Sequence, residues 1–196
     1  TGELIGMNAD GSGKKYVFGY RAGGNAGSGR IKRKLQTQYA SASIMNRLPD
    51  HSSKILISVT EWSSGFSNYV ESVWLDIYTG KQSKRVRAPA PDAFLIADNK
   101  GEVKFSFFTD SSQNFVVHVR DPKRGRWTEY SKTPYGDAQT IPIAIVEDDK
   151  LYVSHSPDNG PYGIYTVDPE NGSFDLVFRH EYVDADVAED SHGIPY

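Results

Sequence analysis

Three stretches of this chain carry residue types that could do chemistry. In residues 8–15, Gly13-Lys14 follows a strand-like run, an approach to a phosphate-binding loop. Such a loop needs a glycine at its first position, a Ser or Thr after the lysine to hold Mg²⁺, and a helix N-terminus to meet the phosphate. Asn8 takes the first position here, Lys15 replaces the hydroxyl, and a second strand follows, so the segment reads as a hairpin turn. Arg30-Ile-Lys-Arg-Lys34 places four cations in five residues. A nucleic-acid surface would add stacking aromatics and a wider basic face. A chain of net charge −3 shows neither, so a solvated loop is expected and no nucleic-acid partner is assigned. Asp184, Asp186, Glu189, Asp190 and His192 are the dense set of hard ligands, and their oxygens would suit Ca²⁺. No glycine-centred loop orders them, so a solvated tail is expected and no metal or cofactor is assigned.

The remaining reactive types are scattered. Cysteine is absent, which removes disulfides, thiol catalysis and Cys-based zinc sites. His180-Glu181 lacks the second histidine of a zinc helix. His118 alternates with valines and reads as half buried rather than as a ligand. A Gly-x-Ser-x-Gly nucleophile elbow is absent; Ala26-Gly-Ser-Gly29 has the wrong spacing. No catalytic residue is assigned. The aromatics Trp62, Trp74, Trp127, Tyr69, Tyr78, Tyr162 and Tyr165 could make a sugar- or peptide-binding platform or pack between structural units. Trp62, Phe66 and Tyr69 are the strongest ligand or peptide-surface candidates, because Ser63-Ser-Gly-Phe-Ser-Asn68 looks like an exposed loop.

The elements that would position these residues form a repeat. Ser72-Val-Trp-Leu-Asp76-Ile-Tyr-Thr-Gly80, Val117-His-Val-Arg-Asp121-Pro-Lys-Arg-Gly125 and Ile164-Tyr-Thr-Val-Asp168-Pro-Glu-Asn-Gly172 align without gaps. Each is a strand running into Asp-x-x-x-Gly, where Asp bonds its own turn and Gly supplies positive φ. The Asp positions are 45 and 47 residues apart. A second hairpin precedes each, and its landmarks Ile55, Val103 and Leu151 recur every 48 residues. Apolar residues alternate along Phe115-Val-Val-His-Val-Arg120, a period of two, and no segment sustains a period of 3.6. Four short antiparallel strands every 45 or so residues predict an all-β chain, a partial β-propeller of three to four four-stranded blades.

The expected division is a half blade over 3–20, a loop over 21–39, blades over 43–88, 93–131 and 142–179, and a tail over 180–196. Pro89, Pro91 and Pro142 are expected just before first strands, and residues 182–187 as the start of a further unit. The chain begins at Thr1 without Met, which suggests a segment of a longer protein. No apolar stretch approaches the ~20 residues of a membrane helix, and no signal peptide is visible. Bacterial cytoplasm and periplasm both remain open. Open blade edges at the two ends predict association into a homodimer.

Met7-Asn-Ala-Asp-Gly11, Trp74-Leu-Asp-Ile-Tyr-Thr-Gly80, Asp98-Asn-Lys-Gly-Glu-Val103 and Gly163-Ile-Tyr-Thr-Val-Asp-Pro169 resemble the N-terminal propeller of prolyl oligopeptidase-type serine peptidases, closest to the acylaminoacyl-peptidase and dipeptidyl-peptidase-like members. TolB-like propellers share several of these motifs. The first resemblance implies a non-catalytic segment that gates peptide substrate access to a C-terminal α/β-hydrolase domain lying past Tyr196. The second implies a binding or scaffold propeller with no enzyme attached.

Overall fold

The computed structural model describes residues 2–23, 37–62, 68–146, 150–168 and 172–187. These residues form fourteen strands and a 3₁₀ turn at Tyr20–Gly23, with no α-helix. The strands make four antiparallel sheets. The first pairs β1 (Leu4–Gly6) with β2 (Lys15–Phe18). The second holds β3 (Ala40–Asn46), β4 (Lys54–Glu61), β5 (Tyr69–Asp76) and β6 (Gln82–Pro91). The third holds β7 (Phe94–Ala97), β8 (Val103–Thr109), β9 (Phe115–Arg120) and β10 (Trp127–Thr133). The fourth holds β11 (Thr140–Ile145), β12 (Leu151–His155), β13 (Gly163–Val167) and β14 (Phe174–Phe178). Each four-stranded sheet is a meander, paired in chain order.

The repeated turns close as their residues dictate. Gly80, Gly125 and Gly172 donate their N–H to the carbonyls of Asp76, Asp121 and Asp168 at 2.7–2.8 Å, with φ of 70°, 67° and 71°. Each Asp N–H in turn donates to the residue after the glycine, Lys81, Arg126 or Ser173. The Asp76 carboxylate accepts from the N–H of Tyr78 and Thr79, and that of Asp121 from Lys123 and Arg124. Strand pairing is thereby started in a fixed register from each turn.

Alternation then gives each middle sheet two apolar faces. Ile57, Val59, Val73 and Leu75 of the second sheet pack against Val17 and Phe18 of β2. Its opposite face, with Val70, Trp74 and Val86, meets Leu95, Val103 and Phe108 of the third sheet. The other face of the third sheet, with Phe105, Phe115 and Val117, meets Ile145, Leu151, Val153, Tyr165 and Val167 of the fourth. The sheets therefore stack in chain order and share one direction. The first strands β3, β7 and β11 are neighbours. Asp98, just past β7, bridges in parallel to Ile145 at the end of β11. Asn46 at the end of β3 donates from its side chain to Asn99, and Lys15 at the start of β2 reaches the Tyr78 carbonyl.

Several limits differ from the sequence expectation. The sheets span 40–91, 94–133 and 140–178 rather than 43–88, 93–131 and 142–179. Pro89 and Pro91 lie within β6, and Pro142 lies within β11 opposite Val153. Both are outer strands of their sheets, and β11 carries an irregularity beside Pro142, so a missing N–H is tolerated there. Residues 182–187 form no strand. They are held instead at Tyr162, whose N–H donates to the Asp184 side chain at Oδ1 and whose carbonyl accepts from the Ala185 N–H. The basic stretch Arg30–Lys34 of the 21–39 loop lies outside the described residues.

Glycine substitution separates a crowded turn from an open one. At Gly101 (φ 75°) an added Cβ would lie 2.8 Å from both Leu48 Cδ2 and Trp74 Cζ2. At Gly125 (φ 67°) it would meet only the flexible end of Arg120. Gly125→Ala should cost about 1 kcal/mol from the left-handed backbone alone, and Gly101→Ala about 2–4 kcal/mol once crowding is added. Urea unfolding measures both; equal midpoints for the two variants would contradict this placement.

Candidate functional site

The common strand direction sorts every connection onto one of two rims. The turn rim holds the Asp–Gly turns and the hairpins that follow β1, β3, β7 and β11. The loop rim holds the loops between second and third strands and the links between sheets. Loop-rim backbone contacts include Gln38 N–H to Gly19 O, Trp62 N–H to Tyr39 O and Asp92 N–H to Asn68 O.

Exposed aromatic side chains concentrate on the loop rim. Tyr20, Tyr39, Trp62, Phe94, Tyr135 and Tyr182 are all exposed there, Tyr135 to 80% and Phe94 to 64%. Tyr20 and Tyr39 meet edge to face at 5.4 Å between centroids. Phe94 stacks on Phe107 at 5.0 Å, and Phe107 leans on buried Phe115 at 5.6 Å. The phenylalanines form a ladder across β7, β8 and β9 whose outer rung faces solvent. Such rings offer flat, amphipathic contact area at low entropic cost.

Two of the three predicted surface residues fall on this rim. Trp62 follows β4 and Tyr69 opens β5, so they flank one loop. Trp62 is 49% exposed and donates from Nε1 to Ser41 Oγ at 2.8 Å. Tyr69 is covered on one face by the Arg87 guanidinium, 3.9 Å from its centroid, so it is partly engaged. Phe66 lies outside the described residues. Of the other aromatics, Trp74 is buried and donates to the Gly101 carbonyl at 3.1 Å, and Trp127 donates to Arg87 O at 3.0 Å. Both join the second sheet to the third. Tyr165 is buried in the contact of the third sheet with the fourth. Sequence reasoning missed Phe94, Tyr39 and Tyr135, because the rim to which a residue belongs emerges only once the sheets stack.

The structure also aligns a serine, a histidine and a carboxylate that sequence reading did not connect. Ser106, His118 and Glu129 lie opposite one another across β8, β9 and β10. Ser106 is fully buried and its Oγ makes no hydrogen bond, so no substrate can reach it as a nucleophile. Burial lowers the His118 pKa below its ordinary value, and Glu129 opposes that shift. Burial lowers His155 likewise; its Nδ1 lies 2.9 Å from Thr140 Oγ1. Asp110 is held far below the usual carboxylate range by the Lys132 ammonium at 2.7 Å and by the side chain and N–H of Asn114.

The sequence-derived ligand set is only partly described. Asp184 accepts from Tyr162 N–H and Asp186 from Val187 N–H, while Glu189, Asp190 and His192 lie outside the described residues. Among the described residues, no three His, Asp or Glu side chains are grouped to hold a metal ion. Residues 7–14 form the hairpin connection of β1 and β2, and no helix of the described residues is long and apolar enough to cross a membrane. No family model, no curated protein and no solved structure matches the chain.

The depressed histidines set the direction of the acid response. A group whose folded pKa lies below its unfolded value, about 6.5, binds its proton less readily when folded. Its contribution to stability is full above that value and is lost as pH falls through the depressed one. The urea midpoint should therefore fall from about pH 7.5 to about pH 5, and His118→Gln should reduce that fall. An unchanged pH dependence in the variant would show that His118 is not a buried neutral imidazole.

Proposed function

We propose that the chain is a non-catalytic segment of a β-propeller, and that its loop rim screens peptide access to the α/β-hydrolase domain of a prolyl oligopeptidase-type serine peptidase. The observation that carries this reading is the stacking of four-stranded meanders in chain order, with β3, β7 and β11 side by side and running one way. Blades around an axis have that relation. The turn motifs quoted above supply the peptidase likeness, and the aromatic rim supplies a surface suited to extended peptides. Ser106, opposite His118, is fully buried and offers no nucleophile to a substrate.

The full protein carrying this chain is the material for the test. A fluorophosphonate should label one serine outside these residues. Trp62→Ala together with Phe94→Ala should change kcat/KM for long peptides several-fold, on the order of a 1–2 kcal/mol contact, and leave a small ester substrate unaffected. A full protein that takes no label would overturn the peptidase reading and favour the binding or scaffold propeller.

We extend the proposal to a homodimer through β14, whose apolar Phe174, Leu176, Val177 and Phe178 are all exposed on an outer strand. Light scattering should show mass rising with concentration up to about 100 μM, a range that exceeds a micromolar dissociation constant. Leu176→Lys should abolish the rise. A constant monomer mass would remove self-association from the proposal.

A further inference from the structure

We propose that Asn159 is a site of self-modification, at which the backbone nitrogen of Gly160 attacks the Asn159 side-chain amide and converts it to a carboxylate. This inference concerns the loop between β12 and β13 and holds for either reading of the function. Ser156-Pro-Asp-Asn-Gly-Pro-Tyr162 makes that loop, which belongs to the loop rim. Asn159 is exposed, with a left-handed φ of 56°. Its amide is open to water, and the residue after it has no Cβ to crowd an attack by its own nitrogen.

Side chains rather than backbone bonds hold this loop. Ser156 Oγ donates to the Gly160 carbonyl at 2.8 Å, and the Gly160 N–H donates to Asp158 Oδ1 at 3.1 Å. Arg179 pairs with the same Asp158 oxygen and donates from Nε to the Pro161 carbonyl at 3.2 Å. Among the described residues, no turn or loop backbone–backbone hydrogen bond involves residues 156–161. The chain's second Asn-Gly pair, Asn171-Gly172, differs at its glycine. The Gly172 N–H is given to the Asp168 carbonyl at 2.8 Å, inside the repeated turn. That nitrogen is locked in the turn. The Gly160 nitrogen is held only by a longer bond to a carboxylate that is 61% exposed.

The chemistry needs only water and base. Once the Gly160 nitrogen has lost its proton, it forms a bond to Asn159 Cγ and closes a cyclic imide. The Cγ–Nδ2 bond breaks, and Nδ2 leaves as ammonia with a proton taken from water. Water then adds to either imide carbonyl and opens the ring. One opening gives aspartate; the other gives isoaspartate, in which the main chain runs through the side-chain carbon. Arg179 Nη2 lies 3.0 Å from the place of an added Gly160 Cβ. Its positive charge offsets Asp158 and favours the negative charge that develops during attack. The product sets a second carboxylate beside Asp158, where the two compete for Arg179 and make the loop rim more acidic.

Incubation of the folded chain in mildly alkaline buffer, followed by tandem mass spectrometry of its peptides, tests this. The expected result is conversion at Asn159 ahead of Asn171, faster as pH rises, with aspartate and isoaspartate both formed. Isoaspartate comes from ring opening and not from direct hydrolysis of the amide. In urea, where the fold no longer separates the two sites, their conversions should become similar. Gly160→Ala should suppress the product at Asn159, because a methyl group then crowds the attacking nitrogen. The φ of Gly160 lies outside the left-handed region, and its added Cβ would meet only the side-chain ends of Arg179 and Asp158, so the variant is expected to fold. An Asn159 that survives in the folded chain while it converts in urea would overturn the proposal. So would conversion at Asn171 first, or aspartate formed without isoaspartate. Should Gly160→Ala fail to fold, the products of the parent chain decide.

Discussion

Each middle sheet of this chain is apolar on both faces, and from that constraint the rest of the arrangement follows. A sheet with one wet face can stand at the surface; a sheet with two dry faces must be sandwiched. Ile57 and Val73 point one way from the second sheet, and Leu56 and Trp74 point the other. Neither face can be left to water without exposing several large side chains, each worth about 1.5–3 kcal/mol on burial. Stacking in chain order is the solution with short links. The link from β6 to β7 needs only Asp92 and Ala93, and Ala93 is itself buried in the contact it creates.

Side-to-side register comes from a few fixed points. Trp74 crosses from the second sheet to the Gly101 carbonyl in the third, and its indole fills the space in which any Cβ at Gly101 would stand. Leu48, fully buried beside Leu56 and Trp74, closes the same corner. Trp127 makes the return bond from β10 to Arg87 in β6. These two indoles fix the rotation of one sheet on the other, and Val70, Val86, Leu95, Val103 and Phe108 fill the same contact beside the small residues Ala88 and Ala93.

The strands were legible because their chemistry is local. Phe115–Arg120 emerges with the limits that its apolar alternation predicts, ahead of a turn set by Asp121 and Gly125. Strand starts were less legible where the residues are small or polar: β3 opens with Ala40-Ser-Ala and β11 with Thr140-Ile-Pro, none of which stands out from a loop. Pro91 ends a strand rather than preceding one because β6 is an outer strand, a fact of pairing that composition does not carry. The row Ser106, His118 and Glu129 was hidden for the same reason. Three residues on three strands share a line only through registers set by two separate turns. Of the rim, the sequence indicated Trp62 and Tyr69 from their loop alone, and could not reveal that Phe94 and Tyr135 share their side.

The two rims divide labour for a physical reason. On the turn rim, the Asp–Gly turns use their own side chains and backbone to satisfy themselves, as Asp76 does with Tyr78, Thr79 and Gly80. A turn so constrained has few positions free to vary, and the spacing that recurs in the sequence is the record of that constraint. The loop rim carries no recurring motif. Its connections differ in length and are anchored by unrelated contacts, such as Trp62 to Ser41 and Gln139 to Tyr162. Freedom to vary without disturbing the sheets is what a recognition surface requires. Six exposed rings lie where the scaffold imposes least, Tyr78 in the Asp76 turn being exposed on the other rim, and Phe94 shows how the loop rim is joined to the core. Its ring is open to solvent, its neighbour Phe107 is half buried, and Phe115 beyond it belongs to the core. A partner that presses on Phe94 therefore presses, through two rings, on the contact between the third and fourth sheets.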